Sequence, residues 1–336
     1  MKRFLVLLSL IFIIPNLAVA DDLKKKVLTL RDRSEIRNRL LKDRFESVLP
    51  DIMERTGIDM WIIVAREYNE DPVIKTMLPA TWLNARRRTI LVVYNPGSGN
   101  KLETYAIARY DVGEVFKRMW DPEQQPDQYK ALAKLIYDKN PNKIGINQSE
   151  FFAQADGLTA TEYNLLKSSL DRRQLKKVVS AEKLAIGWLE TRSAMEMEYY
   201  PEICNIAHEI IKEGFSSNVI TAGKTTTDDV VWWYRDRIRE LGLITWFHPT
   251  VDLQRSDNIK FDFLSAFSKS KVSNVIQKGD LLHVDFGITY LGLNTDTQQH
   301  AYVLKDGEMN APAELNNALR IGNKLQDILT NEFTFA

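Results

Sequence analysis

An α/β domain followed by an α+β domain is the fold class that this 336-residue sequence predicts. Three observations predict it. Between about Val27 and Ser180, helical patterns alternate with short runs of β-branched and aromatic residues, the layout of a sheet covered by helices. From Ala181 onward the order changes, with two helical patterns first and a pair of strands afterwards. The strand pair, at about 281 to 303, carries two aspartates, Asp285 and Asp296, separated by a turn. The composition, 44% apolar and 27% charged with zero net charge, is that of a globular protein with room for two domains. Zero net charge also removes the unspecific electrostatic attraction that nucleic-acid binding uses, so no nucleic-acid partner is expected.

Lys2 and Arg3 precede an apolar run from Phe4 to Ile14, and Ala18-Val19-Ala20 supplies small residues at a cleavage site. This is the three-part layout of a secretory signal peptide, so residues 1–20 are expected to be removed and the mature chain to start near Asp21. The apolar run is too short for a permanent membrane anchor. A periplasmic or secreted location is therefore expected.

The first domain, residues 21–180, opens with one long helix at about Ser34 to Arg55. The predicted strands are Met60 to Val64, Thr89 to Tyr94, Thr104 to Ala108 and Lys143 to Ile146. Helical patterns at Gln128 to Asp138 and Thr159 to Leu170 complete a three-layer α/β arrangement. Arg86-Arg87-Arg88, the densest basic run, reads as a solvated strand entrance.

In the second domain, residues 181–336, Ser193 and Glu196 form a capping box that starts a helix running to about Glu213. Its apolar stripe includes Cys204, the only cysteine, which excludes an internal disulfide and reads as a buried structural thiol. A second helix starts at Thr226 or Thr227, where Asp228 and Asp229 suit the positive end of the helix dipole, and ends at Gly242. Ala222-Gly223-Lys224-Thr225 imitates the tail of a phosphate-binding loop. The required first glycine is Asn218 instead, and a helix precedes the segment, so nucleotide binding is excluded. An amphipathic helix from Glu314 to about Asn331 closes the chain.

Asp285 and Asp296 carry the chemistry. Two short strands folded back near Tyr290 to Gly292 bring the two positions roughly opposite each other on one sheet face. Carboxylates that close repel unless a positive group lies between them, and a divalent cation, or a pair of cations, is the simplest such group. His283 shares a strand face with Asp285, and His300 shares one with Asp296 through Gln298, so either imidazole is placed to hold a carboxylate.

Gly279-Asp280, Asp285-x-Gly287 and a second aspartate eleven residues on, Asp296, resemble the signature of the pita-bread metallopeptidases: Xaa-Pro aminopeptidases, prolidases and creatinase-like relatives. The resemblance implies a creatinase-like N-terminal domain, a pita-bread catalytic domain and a peptide substrate, with homodimers possible. It also implies that Asp285 and Asp296 are the first two ligands of a two-metal centre, Mn²⁺ first and Co²⁺ or Zn²⁺ as alternatives. The family's remaining ligands, a His and two Glu, come well after the second Asp. Here the forty residues after Asp296 (336 − 296) offer only His300, Glu308, Glu314 and Glu332, none in a matching setting. The catalytic domain is therefore expected to be C-terminally incomplete and the chain weak in metal binding and activity. The family's carbonyl-stabilising histidine, seventeen residues before the first Asp, corresponds to Ser268, so His248 is the candidate replacement. Gln299 stands where many relatives have Arg. Two other readings compete: a non-catalytic peptide- or protein-binding module of the same fold, and a metal-free C–N hydrolase, which would be expected to replace both aspartates.

Overall fold

The computed structural model describes residues 17–97, 99–255 and 274–334. The chain forms two compact units. One is Leu28–Pro201, and the other gathers the described residues of Met1–Val27 and Glu202–Ala336. The division falls inside the helix Ala194–Gly214, at Pro201. Most of the expected signal segment lies outside the described residues. Among those described, Leu17–Lys26 is helical, and no helix is long and apolar enough to cross a membrane.

The first unit is built on a six-stranded sheet. Its strands are β1 (Met60–Arg66), β2 (Arg88–Tyr94), β3 (Glu103–Ile107), β4 (Lys117–Arg118), β5 (Ile144–Ile146) and β6 (Val178–Ser180), in the order β4-β3-β2-β1-β5-β6. β1 is antiparallel to β2 and parallel to β5, so the sheet is mixed. Because successive side chains point to opposite faces, the uninterrupted apolar run of β1 feeds two cores. Trp61, Ile63 and Ala65 join Leu91 and Val93 on one face, with Ile52, Met53, Ile74, Leu184 and Trp188 from covering helices. Met60, Ile62 and Val64 join Ile90 and Val92 on the other, with Leu132, Leu135, Ile136 and Leu166. This is the expected three-layer arrangement.

Three details depart from the sequence reading. The long first helix is two, Leu30–Ser47 and Leu49–Thr56, because Pro50 has no N–H to donate and is tolerated only in a first turn. Residues 182–190, placed by the sequence reading in the second domain, form the helix Glu182–Glu190, which buries Leu184, Ala185 and Trp188 in the core of the first unit. The arginine run is not simply solvated. Arg88 donates to Glu162 through Nε (2.7 Å) and Nη2 (3.2 Å), and Arg86 lies 4.3 Å over the Trp82 ring. The Ser193–Glu196 capping box forms as expected, with both reciprocal bonds present.

In the second unit the helix Thr227–Glu240 starts from a Thr226–Asp229 capping box. Its strands are β7 (Thr250–Gln254), β8 (Leu281–Phe286), β9 (Thr289–Tyr290), β10 (Leu293–Asn294) and β11 (Thr297–Tyr302). β8 is central in an antiparallel sheet ordered β11-β8-β7, and β9 and β10 form a small ribbon. Leu282, Val284 and Phe286 are buried, as are Val251, Ile206, Ile210, Val230 and Tyr234, and the Tyr234 and Phe286 rings lie 5.2 Å apart. Cys204 is half-buried beside this stripe, not fully enclosed. The closing helix, Ala313–Thr334, exposes Leu319, Ile321, Leu325, Ile328 and Phe333.

Candidate functional site

Local sequence explains how the two aspartates are positioned. β8 alternates apolar and polar residues, so burying Leu282, Val284 and Phe286 turns His283 and Asp285 to the opposite face. The chain then reverses at Leu291 (φ 57) and Gly292 (φ 85) between the paired residues Tyr290 and Leu293. Two positive φ values in succession define the tight hairpin turn that suits strand twist, and glycine takes one of them without strain.

Gly287 has a different cause. A Cβ there would lie 2.5 Å from Phe247 Cε1, 2.5 Å from the Thr295 carbonyl oxygen and 2.7 Å from Trp246 Nε1. The loop Thr245–Phe247 therefore packs directly on the turn. Thr245 Oγ1 donates to the Gly287 carbonyl at 2.8 Å, and Trp246 Nε1 donates to that of Thr295 at 2.9 Å. Ile288 and Thr295 tie the two arms together, with N–H donors at 2.9 and 3.1 Å.

The register places Gln298, not Asp296, directly across from Asp285. Asp296 lies two residues further along the same face, diagonal to Asp285. The carboxyl groups still interact. Burial, then the Asp296 charge, raises the Asp285 carboxyl above the usual carboxylate range; His283 opposes this and a hydrogen bond with Asp296 adds to it. Asp285 Oδ1 is buried without a hydrogen-bond partner. A buried acceptor in that state is costly unless something positive meets it. Asp296 is exposed.

Asp280, from the Gly-Asp lead-in, has a structural task. It is 1% exposed and takes bonds from Arg255 Nε (2.7 Å) and Nη2 (2.9 Å) and from the Gln277 N–H (2.7 Å).

The histidines fall as follows. His283 and His300 are directly opposed across β8 and β11, with ring centroids 4.9 Å apart. The hydrogen-bond partner of His283 Nε2 is Gln298 Oε1, at 3.0 Å, and not a carboxylate. Partial desolvation of the ring, then the neighbouring His283, lowers the pKa of His300, although the residue is exposed. His248 is exposed and belongs to a different group: Arg235 Nη1 donates to its Nδ1 at 2.9 Å, and the Trp232 ring lies 5.3 Å away. Ser268 lies outside the described residues. Asp252 was not singled out by sequence, yet β7 places it opposite His283, with Thr250 opposite Asp285. The alternation of Thr250, Asp252 and Gln254 with Val251 and Leu253 is the signal that could have found it.

Asp285 and Asp296 thus fit a cation as two of its ligands: adjacent carboxylates, one with a buried oxygen lacking a partner. Among the described residues no group of three or more His, Cys, Asp or Glu side chains is arranged to hold a metal, so these residues alone do not complete a two-metal centre.

No family model matches the chain, and no curated protein matches it. Solved structures do. The Xaa-Pro dipeptidase from Bacillus anthracis matches with a TM-score of 0.51 at 16% identity, over 86% of this chain and 68% of that one. The X-Pro aminopeptidase from Thermotoga maritima matches with a TM-score of 0.55 at 18% identity, over 82% and 70%. An alanine variant of Escherichia coli aminopeptidase P matches with a TM-score of 0.54 at 11% identity, over 81% and 64%. The chain therefore has the fold of these proteins, a creatinase-like α/β domain followed by a pita-bread domain, and spans about two thirds of their length.

Proposed function

We propose that this protein is an exported hydrolase of the Xaa-Pro peptidase type, acting at the N-terminal end of peptides, with Asp285 and Asp296 as ligands of a divalent-cation centre. The observation that carries the reading is the buried, partnerless Asp285 Oδ1 beside Asp296, in a chain whose fold matches Xaa-Pro peptidases. Two divalent ions, Mn²⁺ first because the ligands are oxygen, with Co²⁺ or Zn²⁺ as alternatives, would supply an activated water and a polarised carbonyl. The chain's own residues hold the geometry. Gly287 lets Trp246 and Phe247 close on the turn, and the Arg255–Asp280 pair anchors the start of β8. Arg235 donates to His248 Nδ1, which leaves the proton on Nε2 as a donor. With two carboxylates among the described residues, the 336-residue chain binds a hard cation weakly.

The test is equilibrium dialysis with Mn²⁺ together with turnover of X-Pro peptides, for the parent chain and Asp285→Ala. Manganese binding by the parent that is lost in Asp285→Ala, with little or no turnover by this chain, supports the reading. Manganese binding indifferent to the variant removes the assigned ligand, and manganese-dependent turnover lost in the variant contradicts the expected incompleteness of the catalytic domain. A second reading, a non-catalytic peptide- or protein-binding module of the same fold, draws on the apolar residues exposed along Ala313–Thr334. Peptide binding unchanged in Asp285→Ala, with no turnover, would favour it. Export is checked by the mass of the protein recovered from its native source, with Asp21 expected as the first residue.

A further inference from the structure

The chain has four histidines, and two of them, His283 and His300, are opposed in register on adjacent strands. We propose that these two imidazoles form a clamp for one borderline divalent cation (Ni²⁺, Zn²⁺ or Cu²⁺), distinct in chemistry from the oxygen pair Asp285–Asp296. Cross-strand partners point to the same face, so both rings stand on the polar side of the sheet.

The spacing suits a shared ion. With metal–nitrogen bonds of about 2.1 Å, two ring ligands on one cation have centroids about 4.5–5.3 Å apart between right-angle and tetrahedral geometry. The observed separation is 4.9 Å, with the rings tilted by 44°. Gln298 sets the tautomer of one ligand. Its Oε1 can only accept, so His283 Nε2 carries the proton at 3.0 Å and Nδ1 keeps its lone pair. The acidic surroundings favour a cation: Asp252 is opposite His283 on β7, and Asp285 is two residues along the same strand face. Imidazole nitrogen selects borderline ions where carboxylate oxygen selects Mn²⁺ or Mg²⁺. No third protein ligand is arranged among the described residues, so water fills the remaining positions and the ion stays open to an incoming donor. This inference does not depend on the peptidase reading.

The experiment is calorimetric titration of the untagged 336-residue chain with NiCl₂, repeated with MnCl₂. The parent is expected to bind one Ni²⁺, with at least tenfold loss in His283→Ala and in His300→Ala, and less than twofold change in His208→Ala, His248→Ala and Asp296→Ala. His300 is exposed on the sheet edge, so His300→Gln serves as a second variant, with circular dichroism verifying its fold. Unchanged nickel affinity in folded His300→Ala and His300→Gln overturns the clamp. Equal nickel loss in Asp296→Ala also overturns it, by assigning the ion to the carboxylates. Manganese binding read separately on the same variants reports on the peptidase reading alone.

Discussion

Glu162 in the first unit and Asp285 in the second are acids treated in opposite ways. In the first unit Glu162 is 1% exposed, and its carboxylate meets Arg88 at 2.7 Å, Arg66 at 3.4 Å and the Tyr129 hydroxyl at 2.7 Å. Asp71 in the same unit is equally enclosed. Its Oδ1 caps the N–H groups of Val73 and Ile74, and its Oδ2 takes a bond from Asn147 Nδ2 at 2.9 Å. Burial pushes the Asp71 carboxyl up while these bonds pull it down. In the second unit Asp285 keeps a buried oxygen with no partner and a second carboxylate nearby. A satisfied acid holds two elements together, whereas an unsatisfied one is suited to meet something the chain does not contain.

Breaking the satisfied side should have the largest effect. Glu162→Ala leaves Arg88 and Tyr129 facing a void, and a loss of about 3 kcal/mol is expected from urea unfolding. Gly287→Ala comes next. It drives a methyl group into the Thr295 carbonyl and the Trp246–Phe247 loop, with an expected loss of about 2 kcal/mol and weaker manganese retention in dialysis.

Asp285→Asn sharpens the contrast, because it should stabilise the metal-free protein while removing its response to Mn²⁺. An expected rise of about 1–3 °C in calorimetric Tm follows from removing the charge of a partly desolvated carboxylate beside Asp296. The sign with pH is determined by the raised Asp285 pKa. Since the folded form holds the proton more tightly than the unfolded one, the aspartate's cost is full above its folded pKa and fades as pH falls through it. The advantage of asparagine should therefore shrink on acidification, and an advantage that grew instead would contradict the assignment. The smallest effect is Arg86→Ala, about 0.5–1 kcal/mol for an exposed cation–π contact with Trp82.

Sequence was most informative where a period or spacing survives locally. β1 and β2 were legible as continuous apolar runs, and the reversal at Leu291-Gly292 as a glycine between alternating strands. Asp285 and Asp296 were legible through their eleven-residue separation. β4 was not, because Lys117 and Arg118 are both exposed and give no apolar signal. The split of the first long helix was missed because its apolar period continues across Pro50. Long-range partners were beyond reach for another reason. Arg88 meets Glu162 and Asp252 meets His283 only because the sheets align them, and no property of either residue alone encodes that register. The same holds for Gln298, which stands where Asp296 was expected, across from Asp285. Whether the fold is completed into a catalytic centre is a question of ligands, and the sequence pattern named two.

The bond from the Trp246 indole to the Thr295 carbonyl gives the protein a built-in optical gauge. That carbonyl belongs to the residue just before Asp296, and the indole is half exposed, so its emission is sensitive to any shift of the turn. The chain has seven tryptophans, and subtracting the spectrum of Trp246→Phe from that of the parent isolates this one. A bound ion or peptide that moves the aspartate loop would thereby announce itself as a colour change in fluorescence, without a label and without turnover.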